Sequence, residues 1–121
     1  MAGFITDIEE RTLANEYFRE VLFTAERMQL VIMALQPGEE IGAETHDDVD
    51  QFIRVEAGTG RAILDGEETD LTDGSVVVIP AGTAHNIVNT SAAEPLKLYT
   101  IYSPPQHPDG TIHRTRADAI D

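Results

Sequence analysis

The chain has 121 residues and a formal net charge of −14, from 22 acidic against 8 basic residues, so it has the length of one ordinary domain and a field that repels phosphate backbones and anionic lipid. With 41% hydrophobic and 25% charged residues, and no apolar run of bilayer-spanning length, it reads as a soluble globular protein with no nucleic-acid or membrane partner. The absence of cysteine excludes disulfides, thiolate ligands and a cysteine nucleophile, which leaves nitrogen and oxygen donors for any metal.

In chain order, Met1 to Asp7 has neither a positive n-region nor a long apolar stretch, so no secretory signal is expected and the cytoplasm is the default location. Thr6-Asp7-Ile8-Glu9 has the form of a capping box, which leads into either a short helical turn or an extended arm. Phe18, Val21, Leu22 and Phe23 suit a first strand within Phe18 to Thr24. Further strands are expected over Leu30–Leu35, Phe52–Val55, Ala62–Leu64, Val76–Ile79 and Leu96–Tyr102, all rich in β-branched and aromatic residues. Pro37-Gly38, Gly58-Thr59-Gly60, Asp65-Gly66, Asp73-Gly74, Pro80-Ala81-Gly82 and Ser91 to Pro95 punctuate them as turns. Many short strands at such spacing predict an all-β, jelly-roll-like barrel with an N-terminal arm. The tail from Pro104, rich in Pro, Gly and charge, is expected to wrap the surface without joining the barrel. There is no repeat, low-complexity tract or linker, so one domain over 1–121 is expected, its barrel core spanning about 30–103. A chain of this size buries roughly two-thirds of its unfolded surface and needs no structural metal, so a bound metal would serve function.

Two stretches carry chemistry. In an extended Gly38 to His46, alternation puts Gly42, Glu44 and His46 on one side and Ile41, Ala43 and Thr45 on the other. Glu44 and His46 can then share one ligand. Asp47, Asp48 and Asp50 form a solvated acidic turn, and Gln51 opens the next strand opposite His46 as a third donor. Farther on, Gly74 to Ile79 reads as a buried strand, Pro80-Ala81-Gly82 as a turn, and His85, Ile87 and Asn89 as one face of the following strand. His85 is the fourth candidate donor. Asn89 reads as structural, fixing the turn after its strand.

These two stretches resemble the paired motifs of the cupin superfamily, G-x5-H-x-H-x3-4-E-x6-G and G-x5-P-x-G-x2-H-x3-N. Gly74, Pro80, Gly82, His85 and Asn89 match the second throughout; Gly38, His46 and Gly58 match the first, which departs at Glu44 and Gln51. The resemblance implies a double-stranded β-helix barrel, a homodimer, and one divalent metal held by Glu44, His46, Gln51 and His85. The three-histidine, one-carboxylate set becomes two histidines, one carboxylate and one amide, which keeps a single negative ligand. Such a set suits iron(II) or manganese(II), with nickel and zinc also compatible. An amide oxygen is a weak ligand, so Gln51 binds directly, or only through water, or orients a neighbour instead.

Glu44 to Gln51 and Leu96 to Thr111 also resemble small single-domain cupins of the mannose-6-phosphate isomerase-like kind, a likeness that does not transfer a reaction. Arg54 alternates outward from Gln51, and neither it nor Arg61 marks a phosphate site; an anionic substrate would need the few arginines to converge. His107 and His113 read as exposed loop residues, unless the tail folds over the barrel mouth and brings one of them to substrate. Tyr99 and Tyr102 read as core or edge residues, and no catalytic residue is singled out. The functional expectation is a metal-dependent enzyme of isomerase, lyase or oxygenase type acting on a small polar substrate. The alternative is a non-catalytic small-molecule or metal-binding module.

Overall fold

The computed structural model describes residues 3–119. Met1 and Ala2, part of the stretch read for a secretory signal, lie outside the described residues. Helix α1 (Ile8–Ala14) starts at Asp7, whose Oδ1 accepts the Glu10 N–H at 3.0 Å, while Glu9 and Glu10 meet the positive end of the helix dipole. The cap therefore falls one residue later than Thr6, and a two-turn helix replaces the alternatives of helical turn or arm. It packs on the outside of the barrel and buries Thr12.

Among the described residues nine strands follow: β1 (Arg19–Thr24), β2 (Gln29–Leu35), β3 (Asp50–Ala57), β4 (Gly60–Leu64), β5 (Glu67–Leu71), β6 (Val76–Ile79), β7 (His85–Asn89), β8 (Leu96–Ser103) and β9 (Ile112–His113). They form two antiparallel sheets, ordered β6-β3-β8-β2-β1-β9 and β5-β4-β7, and this is the double-stranded β-helix expected. Two strands were not anticipated. In β5 only Leu71 is buried, so its four polar residues show no inward phase. The tail does join the large sheet: Arg19 pairs with His113 and Glu20 with Ile112, which makes β9 its outer strand.

Register aligns the inward side chains in rows. At one end Ile79, Gln51, Tyr102 and Gln29 stand side by side across β6, β3, β8 and β2. The next row is Val77, Ile53, Thr100 and Val31, then Val55, Leu98 and Met33, then Leu96 beside Leu35. All of these are buried, and Ile87 of β7 joins them from the facing sheet. These rows are thus polar at one end and aliphatic at the other. Burial of this core is the main stabilising term. Glycine is required where the chain turns from β3 to β4: Gly58 has φ +95°, and a Cβ there would collide with the Pro95 carbonyl oxygen.

On the outside of the large sheet, Val78, Phe52, Ile101, Leu30 and Phe23 form one apolar row across five strands. Val78 is 61% exposed and its four neighbours are half-buried. Among the described residues no helix is long and apolar enough to cross a membrane.

Candidate metal centre

The segment 40–46 is not a regular strand; it touches β7 through isolated bridges at Glu40–Val88 and Glu44–His85. Glu44 and His85 exchange both backbone hydrogen bonds at 2.9 Å, which puts their side chains on one face. Gly42, with φ +113°, breaks the alternation between them and the start of the segment. Ile41 therefore lines the same cavity as Glu44 and His46, whereas Ala43 and Thr45 point outward as expected. The Gly42 N–H donates to Asn86 Oδ1 at 2.9 Å, and the Gly82 N–H to the His46 carbonyl at 2.8 Å, so both motif loops are fastened together. Asp50 Oδ1 adds a bond from the Ala81 N–H at 2.9 Å. Asp47 and Asp48 are solvated, while Val49 between them and Asp50 is buried.

Glu44, His46 and His85 converge, with one donor atom of each lying within 4.8 Å of the others. Glu44 Oε1 stands 3.4 Å from His46 Nε2 and 3.8 Å from His85 Nε2. Two donors bound at about 2.1 Å to one tetrahedral ion are roughly 3.4 Å apart, so Glu44 already stands at or near ligand spacing from each of the two histidines. His85 Nδ1–H donates to the Thr83 carbonyl at 2.9 Å, which leaves the lone pair on Nε2, the atom facing the cluster. Both Nε2 atoms are buried and neither has a hydrogen-bond partner among the described residues. Buried imidazole nitrogens without partners are costly unless something binds them, so the donor set fits a cation.

Gln51 is buried beside Tyr102 and donates through Nε2 to Thr100 Oγ1 at 3.0 Å; its Oε1 is buried without a hydrogen-bond partner among the described residues. Tyr102, a core residue as expected, meets the His46 ring edge-on at 6.4 Å. Burial pushes its phenol up to about 12, with the Arg19 guanidinium opposing and the Glu44 carboxylate adding to the rise, so it remains a neutral donor.

A cavity of about 410 Å³ opens beside Glu44 and His46, roofed by the tail. Here the expectation of exposed histidines is overturned. Gln29 Nε2 donates to the His107 carbonyl at 2.7 Å, and its Oε1 accepts the Gln106 and His107 N–H groups at 3.2 and 3.0 Å. This pins the tail over the mouth and sets the His107 ring against Tyr102, 5.1 Å between centroids. His107 and His113 are both half-buried in the cavity wall. Arg116 closes the strap through the Glu40 and Ile41 carbonyls at 2.5 and 3.4 Å. Arg19 also lines the cavity and was not anticipated, although alternation with the inward Val21 marks it in the sequence. Arg54 and Arg61 stay outside, paired with Glu56 and with Glu68 and Asp70.

Residues 31–102 match the Cupin domain family, and the chain belongs to it. It is 45% identical to the uncharacterized protein YrkC of Bacillus subtilis, over 97% of this chain and 66% of that one. It is 50% identical to an uncharacterized protein of Acanthamoeba polyphaga mimivirus, over 90% of this chain and 70% of that one. The chain thus spans about two-thirds of the length of these relatives. A crystal structure of BH2720 from Bacillus halodurans is similar at 44% identity with a TM-score of 0.93, covering 96% of this chain and 92% of that one.

Proposed function

We propose that this cupin holds one divalent ion, manganese, iron, nickel or zinc, on Glu44, His46, His85 and Gln51, and acts as a metal-dependent enzyme on a small polar molecule. The carrying observation is that two buried donor atoms without hydrogen-bond partners among the described residues, His46 Nε2 and His85 Nε2, lie around one carboxylate; Gln51 Oε1, also buried without such a partner, is the candidate fourth donor. When bound, such an ion polarises a carbonyl or hydroxyl of the substrate, chemistry open to an isomerase, lyase or oxygenase. Thr83 orients His85, Thr100 orients Gln51, and the tail roof limits access of water to the cavity.

The test is metal content by mass spectrometry on protein purified without an affinity tag. About one equivalent is expected in the natural chain and none in His85→Ala or Glu44→Ala; a natural chain that stays metal-free after reconstitution overturns the reading. A ligand-binding module without turnover is the second reading, drawn from the pinning of the roof by Gln29 and Arg116, which favours retention over release. It predicts tight binding with no product formed.

Cytoplasmic location, a single functional domain and a homodimer belong to the same proposal. Support for the dimer comes from the apolar row ending at Val78 on the edge strand β6, an apolar strip that pairing with a second copy would cover. Light scattering at micromolar concentration is expected to give the dimer mass, and a monomer mass rejects it.

A further inference from the structure

Arg19 opens β1 and is 7% exposed, yet its guanidinium lines the cavity together with Glu44 and His46. Its Nη1 donates to His113 Nδ1 at 3.1 Å, and because a guanidinium only donates, the His113 proton sits on Nε2. The Phe18 ring lies 5.2 Å from the guanidinium carbon. Arg19 Nε is buried and has no hydrogen-bond partner among the described residues. Among the described residues Arg19 forms no ion pair with a carboxylate, in a chain with 22 acidic residues against 8 basic ones. Arg11, Arg54 and Arg61 all have acidic partners, and Arg116 is committed to two backbone carbonyls. A buried cation left without an anion is costly, and the cavity is where an anion can reach it.

We propose that Arg19 binds the carboxylate of the substrate, so that the molecule taken into this cavity is a small carboxylic acid. This deepens the functional reading above and rests on it for the reacting part of the molecule. One free guanidinium edge matches the two oxygens of a monoanionic carboxylate. A phosphate dianion fits poorly, because Glu44 shares the cavity and Arg116 is already engaged.

The test uses the full chain stripped of metal, so that a metal cannot supply the affinity. Propionate and propionamide, alike in shape and different in charge, are titrated while the side-chain signals of Arg19, His107 and His113 are followed by NMR. Propionate is expected to saturate and propionamide to leave the signals unmoved. Arg19→Gln should weaken propionate at least about tenfold, the loss of one charge-assisted contact, with Arg19→Lys in between. Equal binding of acid and amide overturns the proposal; so does unchanged propionate affinity in an Arg19→Gln chain with a cooperative urea transition. Should Arg19→Gln not fold, the acid–amide comparison and Arg19→Lys decide. Metal content is read separately: propionate selectivity in a chain that never takes metal keeps this proposal and removes the metalloenzyme, and the opposite pair of results does the reverse.

Discussion

His85 and Asn89 stand at opposite ends of β7, on the same face of one strand and both buried, yet their polar atoms are treated in opposite ways. Asn89 Nδ2 donates to the Leu35 and Glu94 carbonyls at 3.0 Å each, and Oδ1 accepts the Ser91 N–H at 2.9 Å, which ties β2, β7 and the turn before β8 together. At the other end His85 uses Nδ1 on Thr83 and leaves Nε2 without a partner. The aliphatic end of the barrel thus carries a satisfied polar group, and the polar end an unsatisfied one. Burial alone does not separate a structural polar residue from a functional one. The state of its hydrogen bonds does.

The largest effect is expected at Asn89. Asn89→Ala leaves three main-chain groups without their partner and is expected to cost about 3 kcal/mol, read from the urea midpoint. A change under 1 kcal/mol would mean that water replaces the amide and that Asn89 is no strut. The next largest effect lies at the other end: with metal at a hundredfold excess over its dissociation constant, the natural chain should gain about 2.7 kcal/mol and His85→Leu nothing. Equal gains in both would move the metal away from β7. The smallest is His85→Leu in the metal-free chain, expected to change stability by no more than about 1 kcal/mol, because an apolar group there removes an unpaired nitrogen as well as one bond. A loss matching that of Asn89→Ala would make His85 structural and erase the contrast.

Much of this was legible in the residues, for identifiable reasons. Glu44, His46 and His85 follow from motif spacing, since the turns at Asp47–Asp50 and Pro80–Gly82 are short and admit few geometries. Inward and outward positions alternate in β3 and β8, whereas Leu30 to Leu35 of β2 is apolar throughout and shows no phase by itself. What escaped was set by contacts distant in the chain. Glu67 to Asp70 carry no hydrophobic phase, so β5 shows only through its pairing with β4. β9 exists because β1 offers it an edge, and nothing in Ile112-His113 alone announces a strand. Two signals were present and went unread: Gln29 at the head of an apolar run, and Arg19 in phase with Val21.

Gln29 grips the tail entirely through main-chain atoms of Gln106 and His107. A grip of that kind is indifferent to which side chain stands at position 107, so the roof stays in position while the group it presents to the cavity is exchanged. Selection, or a laboratory library, can therefore rewrite what this barrel accepts by single substitutions in the strap, without touching Glu44, His46 or His85 and without remaking the fold.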